Sequence, residues 1–190
     1  MSIEHIQHYL EQYVSGERLK HVYRVTDMAI RLAEQHGISV EKAQVAALLH
    51  DIAKQLSSEE LKAWIEKGGQ DEAVLTYHKE LWHAKAGAVM VEQDLSITDA
   101  TILQAIRYHT TGREGMTCLE QIIYIADLIE EGRTFPGVER LRSIAMNRSL
   151  EETMAACIHH SVSYLIQQQT VIHPDSFACY NDWMKKNEGK

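Results

Sequence analysis

The segment Ala46-Ala47-Leu48-Leu49-His50-Asp51-Ile52-Ala53-Lys54 is predicted to be an apolar helix that carries an imidazole beside a carboxylate. A buried ionised carboxylate is unfavourable unless it is paired, and the flanking residues offer no partner. Adjacent helical residues lie about 100° apart, so His50 and Asp51 can bracket a divalent cation just off the helix surface. Lys54 lies one turn beyond His50 and can reach the same point. A core histidine, with Asp51 near a helix end beside Lys54, is the alternative that this segment alone leaves open.

Length and composition predict one all-α domain spanning residues 1–190. A chain of 190 residues can bury a sizeable core, and with 45% hydrophobic residues it is not disordered. No apolar run approaches the ~20 residues of a membrane span, and Met1–His5 has no secretory signal pattern. Two prolines and few β-branched clusters favour helices throughout. The three scattered cysteines are typical of reduced thiols, so we expect a cytoplasmic protein.

The charge balance limits the partners. With 19 basic and 27 acidic residues the net charge is −8, which argues against a broad nucleic-acid-binding surface. A small phosphate-bearing ligand held by a few local cations is compatible with that charge. Membrane binding is not expected, whereas amphipathic outer helices permit a homodimer without requiring one.

Helix boundaries can be placed from local signals. Capping boxes at Ser57, Thr117 and Ser149 each predict a helix start, and Thr98 is expected to cap the helix that ends near His109. The segment 70–79 is polar and predicts a loop with at most one short helical turn. The segment 170–175 is predicted to be extended before a last helix over about 176–186.

Asp127 is a second carboxylate in an otherwise apolar helix. Two buried carboxylates repel each other or shift their pKa values unless a cation lies between them. Two nitrogens and two oxygens form a plausible ligand set for Fe, Mn, Zn or a similar ion. These expected metal ligands are His21, His50, Asp51 and Asp127. His83 and His109 then suit a second ion or the phosphate of a substrate, with Asp51 bridging two ions about 3.5–4 Å apart.

The order of these residues resembles the HD-domain metal-dependent phosphohydrolases, and within them the bacterial YqeK group of symmetrical diadenosine tetraphosphate hydrolases. The matching segments are Leu19–His21, Leu48–Lys54, Ile106–Gly112, Tyr124–Asp127, Glu130–Arg133 and Arg140. Alarmone hydrolases carry a motif like HDxxxED, and this chain differs from that motif after Asp51. Cyclic-di-GMP hydrolases call for a downstream GYP motif, which this sequence lacks. Ala53 stands where many HD proteins carry glycine.

The resemblance implies an HD-type helical bundle with the metal site between its central helices and a motif-bearing core over about 17–130. It implies a metal-dependent enzyme that cleaves diadenosine tetraphosphate into two ADP. The expected cofactor is a divalent metal, iron first, with manganese, cobalt or zinc as alternatives, in one or two ions. A metal-activated hydroxide would attack the polyphosphate in line with its leaving group.

Roles for individual residues follow from the same resemblance. The expected catalytic residues are Asp51, Lys54, His83 and His109. The expected substrate contacts are Arg18, Lys54, His83, His109, Thr110, Asp127, Arg133, Thr170, His173 and Asp175. The last three rest only on the extended segment, which can present backbone groups to a base or ribose.

Structural interpretations stand beside these functional ones. Exposed arginines are commonplace, and Lys54 can form a simple salt bridge. His159 and His160 are read as structural because neighbours on a helix diverge, and Glu130-Glu131 as a solvated helix end. A non-catalytic nucleotide sensor, or a nucleoside monophosphate phosphatase of another HD subtype, are the competing functions, and a substrate panel separates them.

Overall fold

In a computed structural model, residues 2–187 are described, and helices joined by turns and loops make up this part of the chain. Within it lie ten α-helices and two 3-10 helices, with no β-strand. The α-helices are α1 Ile3–Tyr13, α2 Gly16–His36, α3 Val40–Leu49, α4 Ser58–Gly68, α5 Trp82–Asp94, α6 Ala100–Tyr108, α7 Cys118–Ile129, α8 Val138–Asn147, α9 Leu150–Gln167 and α10 Pro174–Asn187. The 3-10 helices are Glu72–Thr76 and Lys79–Leu81. The all-α prediction is confirmed.

Local capping chemistry explains most of the helix starts. Full capping boxes form at Ser57, Thr117 and Ser149, as the sequence predicts. Thr98 does not cap α6, however. The N-cap is Asp99, whose carboxylate accepts from the Thr101 backbone N–H at 2.8 Å and can also pair with a lysine, which a threonine cannot do.

Four helices form the centre of the molecule. The helix α2 packs on α3 and α7, while α6 packs on α3 and α7, so the four enclose one apolar core. Fully buried side chains from this region include Leu48, Leu49, Ile106, Ile122 and Ile123. The helices α4 and α5 cover the α6 side, and α8, α9 and α10 cover the α7 side. The polar residues singled out in the sequence project into the middle of this arrangement.

The length and hydropathy of the described helices can be compared with those of a membrane span. Within residues 2–187, none of them is both long enough and apolar enough to cross a bilayer.

Candidate metal centre

Two of the histidines lie where helices end, not within them. The helix α3 stops at Leu49, and His50 and Asp51 belong to the turn that follows, so the expectation of a continuous helix here was wrong. The His50 Nδ1–H donates to the carbonyl of Ala47 at 2.7 Å, which leaves Nε2 directed away from the helix. A 3.1 Å bond from the Ile52 N–H to the Leu49 carbonyl tightens this turn.

His109 repeats this arrangement at the end of α6. Its Nδ1–H donates to the Ile106 carbonyl at 2.8 Å, three residues back, so its Nε2 also faces the middle of the molecule. The C-terminal ends of α3 and α6 therefore meet at one point. Because a helix C-terminus carries partial negative charge, this point favours a cation.

Asp51 lies between two pairs of imidazoles. Its Oδ2 is 3.4 Å from His50 Nε2 and 3.6 Å from His21 Nε2. Its Oδ1 is 3.0 Å from His83 Nε2 and 3.7 Å from His109 Nε2. The side chain is only 3% exposed. Each carboxylate oxygen thus faces its own pair of ring nitrogens.

Asp127 completes the first of these groups. Its Oδ1 lies 3.0 Å from His21 Nε2. The ligand atoms of His21, His50 and Asp127 all lie within 4.8 Å of one another, as do those of His50, Asp51 and His109. The structure therefore brings together all six residues that the sequence singled out as ligands to one or two ions.

Two ring nitrogens show that a cation fits here. The Nε2 atoms of His21 and His50 are buried and find no hydrogen-bond partner among the described residues. Buried polar groups are nearly always satisfied, so orphaned imidazole nitrogens facing carboxylates are a donor set in need of a metal ion.

The pKa shifts suit the same chemistry. Burial would raise the pKa of Asp51, but His50 and His83 outweigh it, and the carboxylate stays ionised with a pKa well below its usual range. Burial also acts to raise the pKa of Asp127, and the adjacent His21, His50 and Arg133 lower it further than burial raises it. Burial lowers the pKa of His109 to about 3, so its ring is neutral at pH 7 and can offer a lone pair.

Glu130 orients His21, and the sequence interpretation of a solvated helix end was wrong for it. Its side chain is 2% exposed, and its Oε1 accepts from His21 Nδ1–H at 3.1 Å. Its Oε2 accepts from Arg24 Nε–H at 2.6 Å and from the Gly132 N–H at 2.5 Å. A carboxylate behind a metal-binding histidine fixes its tautomer and raises its basicity. The sequence signal for this role was the position of Glu130 three residues after Asp127, which puts both carboxylates on one side of the helix.

Cationic side chains surround the open side of the cluster. Arg18 Nη1 lies 2.8 Å from Asp51 Oδ2, and Arg133 Nη2 lies 2.6 Å from Asp127 Oδ1. Lys54 Nζ lies 2.8 Å from Glu80 Oε2 and 3.5 Å from His83 Nδ1. They line an open pocket of about 470 Å³.

The pocket also includes residues with hydroxyl groups. Thr110 lines it, and its buried Oγ1 has no hydrogen-bond partner among residues 2–187. Tyr124, Ser161 and Tyr164 line it too. Sequence reasoning assigned none of the three to the site, although Tyr124 begins one of the matching segments, and nothing in the local patterns of Ser161 and Tyr164 sets them apart.

The structure does not bring the predicted contacts of the C-terminal segment to this pocket. Thr170 Oγ1–H donates to the Leu165 carbonyl at 3.1 Å, at the end of α9. His173 packs against the ring of Tyr77, and Asp175 Oδ2 lies 3.6 Å from the buried Lys85 Nζ. None of Thr170, His173 and Asp175 is among the described residues that line the pocket.

Comparison with known proteins agrees with this geometry. The HD domain family matches residues 18–132. A symmetrical bis(5'-nucleosyl)-tetraphosphatase of Bacillus subtilis is 39% identical over 92% of this chain and 93% of its own length. One from Staphylococcus aureus is 33% identical over 99% of this chain and 97% of its own length. The crystal structure of an HD superfamily hydrolase of Clostridium acetobutylicum, described as involved in NAD metabolism, aligns with a TM-score of 0.90. It is 34% identical and covers 98% of this chain and 99% of that one.

Proposed function

The chain belongs to the HD domain family, and on that premise we propose that it is a metal-dependent hydrolase that splits diadenosine tetraphosphate symmetrically into two ADP. The observation that carries the proposal is Asp51, ionised and buried between two pairs of imidazole nitrogens beneath a cationic pocket. Relatives over nearly the whole chain that are named as symmetrical tetraphosphatases support the choice of substrate.

The proposed ligands divide into two sets. One ion is assigned to His21, His50, Asp51 and Asp127. A second ion, where it binds, is assigned to His83 and His109 with Asp51 shared. A divalent cation in this place makes a bound water acidic and neutralises charge on phosphoryl oxygens. Iron is proposed first, with manganese, cobalt or zinc as alternatives, because nitrogen and carboxylate ligands suit all of them.

The surrounding side chains hold the polyphosphate over the cluster. Arg18, Lys54 and Arg133 supply positive charge at the pocket wall, where phosphoryl oxygens gain charge as the bond to the leaving group breaks. Arginine and Lys54 differ in this role: the guanidinium can bind two oxygens at once, while the ammonium acts as a compact charge. The Thr110 hydroxyl is free to donate to a substrate oxygen.

One histidine is the better proton donor to the departing oxygen. Burial lowers the pKa of His109 to about 3, so its neutral ring offers a lone pair for ligation. His83 has Lys54 on one side and Asp51 on the other, at the pocket wall. We therefore assign the proton transfer to His83 when it holds no second ion.

The C-terminal segment is proposed to contact the base or ribose of one nucleoside. Asp175 pairs with the buried Lys85 Nζ at 3.6 Å, and none of Thr170, His173 and Asp175 lines the metal pocket. Their role stays a prediction, and substitution of each with the KM for substrate as readout tests it.

The remaining proposals concern the protein as a whole. Residues 1–190 are proposed to act as one unit, and the family match over 18–132 supports the placement of the motif-bearing core at about 17–130. The free thiols at Cys118, Cys157 and Cys179 support a cytoplasmic location. The net charge of −8 supports a small nucleotide substrate without nucleic acid as partner. A homodimer stays a prediction, which light scattering after gel filtration tests.

Substitution at Asp51 tests the proposed function. Asp51→Asn keeps the shape of the side chain but removes the charge shared by both imidazole pairs, so metal content and turnover of diadenosine tetraphosphate should be lost together. Asp27→Asn, on the exposed face of α2, is the matched control. Unchanged turnover in Asp51→Asn would refute the proposal. Tight nucleotide binding by the wild type without turnover would favour a sensor, and turnover of nucleoside monophosphates alone would favour a phosphatase.

A further inference from the structure

A second concavity lies beside the metal pocket, between α8 and α9. It is a groove of about 520 Å³. Its floor includes the apolar side chains of Leu141 and Ala156, and its rim carries Arg140, His159 and His160. Neither the family match nor the names of the relatives assign a role to this groove.

The groove and the metal pocket are lined by neighbouring positions of α9. Ala156, His160 and Tyr164 are spaced by four residues and so share one face of the helix. The first two line the groove, and Tyr164 lines the pocket. Eight residues of α9 span about 12 Å, which is comparable to the length of an extended nucleoside diphosphate.

The loop before α8 connects the same two concavities from the other side. Arg133 lines the metal pocket and also an adjoining cleft, which Phe135 and Gly137 share. Gly137 in turn lines the groove. Arg133 and Gly137 therefore link the metal pocket to the groove through the cleft that both of them line.

Flat rings stand along this route. The ring of Phe135 is stacked on that of His160, with centroids 4.7 Å apart and planes at 30°. Tyr164 is 55% exposed, so a ligand can reach its ring. Burial, aided by His159, lowers the pKa of His160, so this ring is neutral at pH 7.

Arg140 adds a planar cation to the rim. It is exposed, and among the described residues it has no ion pair and no hydrogen bond. Its neighbour Arg142 differs, because its guanidinium is held by Glu139 and by the carbonyls of Ile129, Glu130 and Arg133. Arg140 is thus free to stack on or donate to a ligand.

A symmetrical cut places the cluster at the middle of a tetraphosphate, so each nucleoside needs its own place on either side. We propose that the groove binds the second nucleoside of the dinucleoside substrate, with its base against the His160–Phe135 stack and Arg140. The phosphates between groove and cluster then pass Arg133. This inference rests on the proposed function and adds a specificity site to it.

The test compares the double variant Arg140→Ala/His160→Ala with wild type. Arg148→Ala, an exposed arginine just after α8, is the matched control. Base stacking on a side chain is worth enough that its loss should raise the KM for diadenosine tetraphosphate about tenfold. Because the contact is equal in ground and transition states, kcat should stay within about twofold. The inhibition constant of ADP should be the same in the variant as in wild type, because one nucleoside diphosphate can bind in the metal pocket without the groove.

Each outcome discriminates. A higher KM with unchanged kcat and ADP inhibition supports the second nucleoside site. An unchanged KM, in a wild type that hydrolyses diadenosine tetraphosphate normally, overturns the site and leaves the proposed function intact. An equal loss of ADP inhibition overturns it as well, because the substitution then acts on the metal pocket. A wild type without turnover overturns both.

Discussion

Replacement of Glu130 by glutamine tests how the cluster is oriented. The carboxylate accepts three hydrogen bonds, from His21, Arg24 and the Gly132 backbone. A glutamine amide offers one oxygen and one NH₂ group. If the oxygen keeps Arg24 and Gly132, the NH₂ group faces His21 Nδ1 and forces the ring proton onto Nε2. If the amide turns round, the NH₂ group opposes the Arg24 donor.

The magnitude follows from these contacts. A proton on His21 Nε2 removes the lone pair that faces Asp51 and Asp127, and loss of such an orienting partner typically weakens metal affinity about 10–100-fold. The alternative orientation leaves a buried donor unsatisfied, which costs about 1–3 kcal/mol of unfolding free energy. The Arg24 side chain is 33% exposed, so water offsets part of its loss and the lower half of this range applies.

The assay is a competitive chelator titration of the metal, paired with thermal unfolding. Glu131→Gln is the control, because it makes the same change at the exposed neighbouring position. We expect Glu130→Gln to bind metal at least tenfold more weakly and to melt lower, with Glu131→Gln within about twofold of wild type. A folded Glu130→Gln protein with wild-type metal affinity would refute the proposed role of Glu130.

Three further predictions concern stability. Burial acts to raise the pKa of Glu130, but its partners outweigh it and the net pKa lies below 4.5. The stabilisation by this carboxylate is therefore full above pH 4.5 and is lost as pH falls through the lowered pKa. Urea unfolding should show the difference in stability between wild type and Glu130→Gln shrinking as pH falls below 4.5. Gly112 and Gly115 both have positive φ, but only at Gly112 would a Cβ meet Cys179 Sγ, at 2.6 Å. Gly112→Ala should thus lose about 1–3 kcal/mol more than Gly115→Ala in chemical unfolding, and equal losses would show that the contact with Cys179 relaxes freely. Metal at about 100 times its dissociation constant should stabilise chelator-treated protein by about 2.7 kcal/mol in calorimetry, and an unchanged Tm would contradict a resident ion.

The chemistry of the site could be predicted from sequence because polar residues in apolar helices are conspicuous. His50, Asp51 and Asp127 each interrupt a run of Ala, Leu and Ile, and the structure brings them to one point. Capping boxes were equally readable, because both partners lie within four residues of each other.

Features that depend on distant partners could not be predicted in this way. Glu130 was misread because its partners His21 and Arg24 are 109 and 106 residues away. The end of α3 was misread because Leu49, Ile52 and Ala53 continue the apolar pattern of the helix into a turn. That turn is stabilised by the hydrogen bond from the His50 side chain to the Ala47 carbonyl. The groove between α8 and α9, and the stacking of Phe135 on His160 beside it, arise only from tertiary packing.

The cluster is proposed to cut a dinucleoside tetraphosphate at its middle. Chromatography of the products, after metal-loaded protein is incubated with diadenosine tetraphosphate, tests this position of the cut. ADP as the single product is the expected result. ATP and AMP together would place the attack on another phosphorus and contradict the proposed position of substrate over the cluster.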